Sequence, residues 1–313
     1  MKLRVLICDP IHQDGVQLLR HAGCEVVEKP KITKEELLVE AKNFDVLVVR
    51  GRTKITGDVI AAAPSLKAVA RSGVGLDNID LEAAKKRGID VLSTPGAPIT
   101  SVAELAIGLM LSVLRQIPLA DQAMKHDEWT KSRLMGRELR EKTLGVVGVG
   151  GRIGAEAARI AIQGFKMKVV GYDVIDVTSK AKELGFEISP SLGSLVERAD
   201  IVTIHVPYLS STHHLIDISM IRRMKQGSVL INTSRSDIVD GKAMLQALKE
   251  GKISGVGLDV FHNEPPKEDW EKELAAFPEG RSVCTPHVGA QTLECQRLES
   301  VTVAQEIIKL SGG

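Results

Sequence analysis

Charge of one sign is what this sequence most plainly lacks. Across 313 residues, 41 Lys and Arg stand against 40 Asp and Glu. A chain so balanced has no net field to draw it to nucleic acid or an anionic membrane surface, so any anion site must be local. Cysteine is also scarce. The four present, Cys8, Cys24, Cys284 and Cys295, are far apart and form no C-x-x-C pair. That excludes the common zinc and disulfide frameworks, suits a reducing cytoplasm, and gives no reason to expect a metal. Long apolar runs are missing as well. The run from Leu3 to Cys8 is stopped by Asp9, too soon for a leader and right for a buried first strand. The stretch from Val102 to Leu114 contains Glu104 and falls short of the about 20 residues a bilayer requires. No membrane segment, internal repeat or low-complexity tract is expected.

What is present is a normal globular composition, 43% apolar and 26% charged. The chain is too long for one ordinary core at roughly 100–200 residues per domain, so two domains are expected. Short β-rich runs recur, each followed by a segment with helical spacing: Leu3–Cys8, Asp45–Val49, Leu66–Ala70 and Ile89–Leu92, then Thr143–Gly148, Lys168–Tyr172, Ile201–His205, Val229–Asn232, Gly255–Asp259 and Ser282–Cys284. Strands alternating with helices argue for parallel sheets wound on both faces, and ten strands divide better between two sheets than into one. The Pro/Gly cluster Ser93-Thr94-Pro95-Gly96-Ala97-Pro98 closes the first series before a long helix starting near Thr100 or Ser101. A second crossing is expected at Thr285-Pro286-His287, because only a helical tail, Thr292 to Leu310, follows it. The expected organisation is an α/β fold of two doubly wound domains. Residues 1–97 plus 288–313 form a smaller, flavodoxin-like domain, and 98–287 an inserted Rossmann domain.

After the strand Thr143-Leu144-Gly145-Val146-Val147 comes Gly148-Val149-Gly150-Gly151-Arg152-Ile153-Gly154 and an Ala-rich helix. Strand, glycine turn and helix are the order a dinucleotide site requires. Glycines let the backbone approach the pyrophosphate, and the helix start attracts its charge. The next strand ends at Asp173, whose carboxylate would accept from the adenosine ribose hydroxyls and repel a 2′-phosphate, so NAD is expected over NADP. Gly148, Gly150 and Gly154 give G-x-G-x-x-x-G, one residue longer than the usual pattern. Either the turn is longer by one, or Val149 takes the first position and Gly151 the second.

Three further segments combine turn chemistry at a strand end with an ionisable residue: Asn232-Thr233-Ser234-Arg235, Asp259 to Pro266 with Glu264, and Thr285-Pro286-His287-Val288-Gly289-Ala290. Oxidising a 2-hydroxy acid needs a base for the hydroxyl proton and a cation for the carboxylate. A histidine beside a carboxylate suits the first role, and the planar fork of arginine suits the second. His205, at a strand end in His205-Val206-Pro207, reads as a shaper of the cofactor rim. The remaining histidines, His262 among them, carry no assigned role.

With these segments, Val49-Arg50, Ser72-Gly73-Val74-Gly75-Leu76-Asp77-Asn78-Ile79-Asp80, Ser101-Val102-Ala103-Glu104-Leu105, Arg115-Gln116-Ile117-Pro118, Met135-Gly136-Arg137-Glu138-Leu139 and Lys142-Thr143-Leu144-Gly145, the sequence resembles the D-isomer-specific 2-hydroxyacid dehydrogenase family over most of its length. Its likeness is strongest to the phosphoglycerate-oxidising branch, in the short form without regulatory domains. The resemblance implies that Arg235 binds the substrate carboxylate, that Glu264 pairs with His287, and that His287 is the acid/base. It places NAD against Arg152, Ile153, Asp173, Pro207, Thr212, Thr233, Ser234, Asp259 and Gly289. The substrate carboxylate lies at Val74-Gly75, and the partner is a second copy meeting the region from about Pro98 to Arg140. A phosphorylated substrate needs further cations, for which Arg50 and Arg52, with Lys54, Lys131 and Arg133, are candidates. Two departures bear on the substrate: Pro98 stands where the family commonly has Asn, and Gly51 where the phosphoglycerate branch commonly has Ser. The competing readings are a glyoxylate or hydroxypyruvate reductase with the same trio, and an NAD-sensing binding protein.

Overall fold

The structure, a computed structural model, describes residues 2–311. The chain divides into two compact units, Met1–Pro98 with Ala290–Gly313, and Ile99–Gly289. Both boundaries fall beside the Pro/Gly cluster and the Thr285-Pro286-His287 turn singled out in the sequence.

The smaller unit is built on five parallel strands, β1 (Arg4–Ile7), β2 (Glu25–Glu28), β3 (Val46–Val49), β4 (Ala68–Arg71) and β5 (Asp90–Leu92), in the order β2-β1-β3-β4-β5. That is the flavodoxin-like order. Val46 to Val49 are all buried, as expected of a central parallel strand covered on both faces. One face is closed by Leu37, Phe44, Val59 and Ile60, the other by Val16 and Leu19 together with Val303, Ala304 and Ile307. The last three come from the C-terminal helix Leu293–Ser311, which therefore completes the unit that begins the chain. His12, which caps helix Gln13–His21, donates its N–H to Ser300 Oγ at 2.7 Å and so ties the start of that helix to the middle of Leu293–Ser311.

The larger unit carries seven parallel strands: β6 (Thr143–Val147), β7 (Lys168–Tyr172), β8 (Glu187–Ile188), β9 (Ile201–Ile204), β10 (Ser228–Asn232), β11 (Ile253–Leu258) and β12 (Ser282–Cys284). Their order is β12-β11-β10-β9-β6-β7-β8, so the winding reverses between β6 and β9, as at the switch point of a Rossmann fold. Helix Ile99–Arg115 packs Ala106, Leu109, Met110 and Val113 under the sheet with Ile201 and Ile231. Its apolar character is that of a core helix. Among the described residues no single helix is long and apolar enough to cross a membrane.

Candidate active site

The switch point opens where β6 ends. Gly148 has φ +90°, a conformation that side chains rarely adopt, and Gly151 N–H closes the turn onto its carbonyl at 3.1 Å. Gly151 caps helix Arg152–Phe165, and a Cβ on Gly154 would strike the Gly148 carbonyl. Gly151 and Gly154 thus keep the standard spacing at the helix start, while the turn before them is longer by one residue. That spacing puts Gly151 in the second glycine position, as in the second alternative left open by the sequence. Asp173 lies across from this turn. One oxygen of its carboxylate accepts from Gly150 N–H and the other from Val174 N–H, both at 2.8 Å, so its position is fixed at the end of β7. The N–H groups of Arg152 and Ile153 begin the helix, where no intrahelical acceptor exists for them.

Other positions expected at the cofactor lie on the loops beyond β9 and β10. Thr212 Oγ1 donates to the Pro207 carbonyl at 2.8 Å and accepts from Leu209 N–H at 2.7 Å, tying the loop beyond β9 together. Ser234 Oγ donates to the Ile204 carbonyl at 3.0 Å. Thr233 Oγ1, by contrast, is buried and has no hydrogen-bond partner among the described residues. His205 meets Thr203 Oγ1 through Nε2 at 3.0 Å, and burial pushes its imidazole down to about 4, which keeps it neutral at physiological pH.

Strands β10, β11 and β12 are neighbours, so the loops at their carboxyl ends leave the sheet side by side. The first carries Arg235. Asn232 shapes that loop, accepting from Ser234 N–H at 3.0 Å and donating through Nδ2 to the Arg235 carbonyl at 2.9 Å. The second carries Glu264 and the third His287, whose Nδ1 is 2.8 Å from Glu264 Oε2. His287 sits at φ +54°, a strained conformation for a side-chain-bearing residue. Asp259 holds it there. The Asp259 carbonyl accepts from His287 N–H at 2.9 Å. Its buried carboxylate accepts from Thr285 Oγ1 at 2.6 Å and from Val288 and Gly289 N–H, both at 2.8 Å.

The electrostatics follow from this geometry. Donation of a hydrogen bond to Glu264 raises the His287 pKa above the usual histidine value. Burial and the Arg235 charge oppose the rise without cancelling it. Burial alone would raise the Glu264 carboxyl, but the His287 hydrogen bond and the nearby charges of His287 and Arg235 hold it below the ordinary range. An ionised Glu264 beside a histidine of raised pKa is an acid/base pair, because the carboxylate stabilises the imidazolium that forms when His287 takes a proton.

Two elements of this site were not anticipated. Glu271, with no exposed surface, accepts from Asn263 N–H (2.7 Å), Asn263 Nδ2 (2.9 Å), and Lys267 and Glu268 N–H (3.0 Å each), and so pins the loop that carries Glu264. His262 Nδ1 lies 2.8 Å from Asp237 Oδ1, linking the Glu264 loop to the Arg235 loop. No sequence motif marks either one. An acidic residue in a charged helix and a histidine in a loop look like solvated surface. A cavity of about 230 Å³ lies nearby, lined by Asp237, His262, Phe261 and Trp270 among others, but none of Arg235, Glu264 or His287 lines it.

The expected substrate contacts Arg50, Arg52, Val74 and Gly75 stand on the smaller unit, at the carboxyl ends of β3 and β4. The Gly75 carbonyl accepts from Arg71 Nε at 3.0 Å, and Val74 is 42% exposed. The Arg52 guanidinium, on a half-exposed side chain, donates to Asp9 Oδ1 (3.1 Å), Ile32 O (3.0 Å), Cys8 O (2.7 Å), Pro30 O (3.1 Å) and Thr53 Oγ1 (3.1 Å). It braces the loop after β3, and a ligand would have to compete with those bonds.

Residues 107–289 match the D-isomer specific 2-hydroxyacid dehydrogenase NAD binding domain family. The chain is 43% identical over 311 residues to a D-3-phosphoglycerate dehydrogenase of Methanocaldococcus jannaschii, covering 99% of this chain and 58% of that one. It is 40% identical to a hydroxypyruvate reductase of Thermotoga maritima, covering 99% of both. Among solved structures, the D-lactate dehydrogenase of Aquifex aeolicus complexed with NAD and lactic acid superposes with a TM-score of 0.82 at 31% identity, over 99% of this chain and 96% of that one.

Proposed function

The chain belongs to the D-isomer specific 2-hydroxyacid dehydrogenases, and on that premise we propose that it interconverts a D-2-hydroxy acid and its 2-oxo acid with NAD, using His287 and Glu264 as acid/base and Arg235 as carboxylate clamp. The 2.8 Å His287–Glu264 contact beside Arg235 carries this reading. The residues fit the cofactor: the glycine turn packs its backbone too closely for any Cβ, the helix start offers N–H groups, Asp173 stands at the end of β7 for a ribose, and Thr233 Oγ1 lacks a partner among the described residues. When bound, NAD supplies the acceptor for the hydride leaving C2 of the hydroxy acid. His287 takes the hydroxyl proton at Nε2 during oxidation and returns it during reduction. Glu264 holds Nδ1 and compensates the positive ring, and Arg235 grips the carboxylate.

The first substrate reading is D-3-phosphoglycerate oxidised to 3-phosphohydroxypyruvate, the step leading into serine synthesis, in a cytoplasmic homodimer. It rests on the sequence resemblance and on the relative that is 43% identical. The chain spans only 58% of that relative's length. A second reading, reduction of hydroxypyruvate or glyoxylate, is favoured by the relative matched end to end and by the engagement of Arg52 away from any phosphate. Initial rates of NADH oxidation with 3-phosphohydroxypyruvate, hydroxypyruvate, glyoxylate and pyruvate separate them. The expected result is rapid turnover, fastest with the phosphorylated acid and much slower with NADPH, whose extra phosphate meets Asp173. A best rate with hydroxypyruvate or glyoxylate selects the second reading, and no oxidation with any of the four removes both.

A further inference from the structure

Gly150, inside the glycine turn of the larger unit, is held from both sides. Its N–H donates to Asp173 Oδ2 at 2.8 Å, and its carbonyl accepts from Lys180 Nζ at 2.5 Å. Lys180 stands on helix Thr178–Leu184, which follows β7 in the same unit. One peptide residue therefore separates an ammonium from the carboxylate at the end of β7. The approach is close enough that a Cβ on Gly150 would lie 2.7 Å from Asp173 Oδ2. Asp173 and Lys180 are both partly exposed, and Val174 and Ile175, on the loop joining them, are 89% and 60% exposed, so this edge of the turn is open to a ligand. The other carboxylate of that loop, Asp176, is turned to the start of the Lys180 helix, where it accepts from Thr178 N–H at 2.9 Å and Thr178 Oγ1 at 2.6 Å.

A carboxylate at the end of this strand favours a ribose hydroxyl and repels a phosphate in its place. A cation beside it acts in the opposite sense. A lysine ammonium carries three donors, of which the Gly150 carbonyl takes one, and its charge acts on an incoming anion whichever donors are engaged. We propose that Lys180 is a cofactor-specificity residue. Seated by the glycine turn next to Asp173, it offsets part of the repulsion between that carboxylate and a 2′-phosphate, so the chain rejects NADPH less sharply than Asp173 alone would make it. A bracing role alone predicts something different, because a turn loosened by loss of the Gly150 bond weakens both dinucleotides in proportion. The proposal rests on the reading that Asp173 meets the adenosine ribose.

Calorimetric titration of the full chain with NADH and with NADPH tests this without turnover, in the parent and in Lys180→Met and Lys180→Arg, with Lys180→Gln in place of Met should Met fail to fold. Both cofactors are expected to bind the parent, NADH the tighter. In Lys180→Met the ratio of the NADPH to the NADH dissociation constant should rise by roughly tenfold, the scale of one charge lost near a phosphate in a partly exposed site, and the rise should shrink with added salt. Lys180→Arg keeps the charge and should leave the ratio near that of the parent. A ratio unchanged in the neutral variant, with both constants moving in proportion, leaves Lys180 a brace and overturns the proposal. So does an equal rise in Lys180→Arg, or an absence of NADPH binding in the parent. Asp173→Asn separates the two levels. If it lowers the same ratio while the Lys180 variants leave it fixed, only the role of Lys180 falls. If it leaves the ratio unchanged, the ribose reading at Asp173 falls and takes the proposal with it.

Discussion

Replacing His287 with Gln is expected to lower turnover by about two to four powers of ten while leaving NADH binding nearly unchanged. The ring is the only group in the trio suited to exchange a proton near neutral pH, and its Nδ1 is held by Glu264 at 2.8 Å. Gln can retain a hydrogen bond to Glu264 but cannot carry a proton to and from substrate. Most of the proposed cofactor positions, among them the Gly148 turn, Asp173 and Thr233, lie on other loops of the larger unit, so the dissociation constant for NADH should move little. Stopped-flow turnover and NADH fluorescence titration read the two quantities separately. Near-normal turnover in a folded variant would remove His287 from the chemistry.

The second large effect is at Arg235. Arg235→Lys is expected to raise KM for the 2-oxo acid by roughly tenfold to a hundredfold, because a single ammonium replaces two parallel bonds to the carboxylate. The charge is conserved, so the fields felt by Glu264 and His287 change less than the grip does. Steady-state kinetics should therefore show KM moving more than the pH dependence. An unchanged KM would deny Arg235 the clamp.

Much of this was legible in the sequence because central parallel strands are buried on both faces and read as short apolar runs. Val46 to Val49 and Ile201 to Ile204 are entirely buried, and both were expected. The strands that escaped notice are β2 and β8, each at the edge of its sheet. Glu25-Val26-Val27-Glu28 is exposed or half-buried throughout and Glu187-Ile188 is exposed, so neither leaves the apolar run by which a strand is recognised. The trio was legible because each member follows a strand end, and neighbouring strands deliver their loops to one place. The supporting carboxylate Glu271 was not, because its role comes from burial against the backbone of the loop just before its helix, and in sequence it is an ordinary acidic residue. Nor does the sequence foretell that the half-exposed Arg52 caps carbonyls of the preceding loops.

The central claim is that Glu264 and His287 act as one acid/base unit, and the pH dependence of kcat/KM in both directions tests it most directly. Oxidation needs His287 neutral and should fall as pH drops through its raised pKa. Reduction needs it protonated and should fall as pH rises through the same value. In Glu264→Gln the hydrogen-bonded carboxylate that raises this pKa is gone, so both limbs should move together to lower pH as the rate declines. Limbs that stay in place in Glu264→Gln would contradict the account, for the ionising group would then not be the histidine that Glu264 holds.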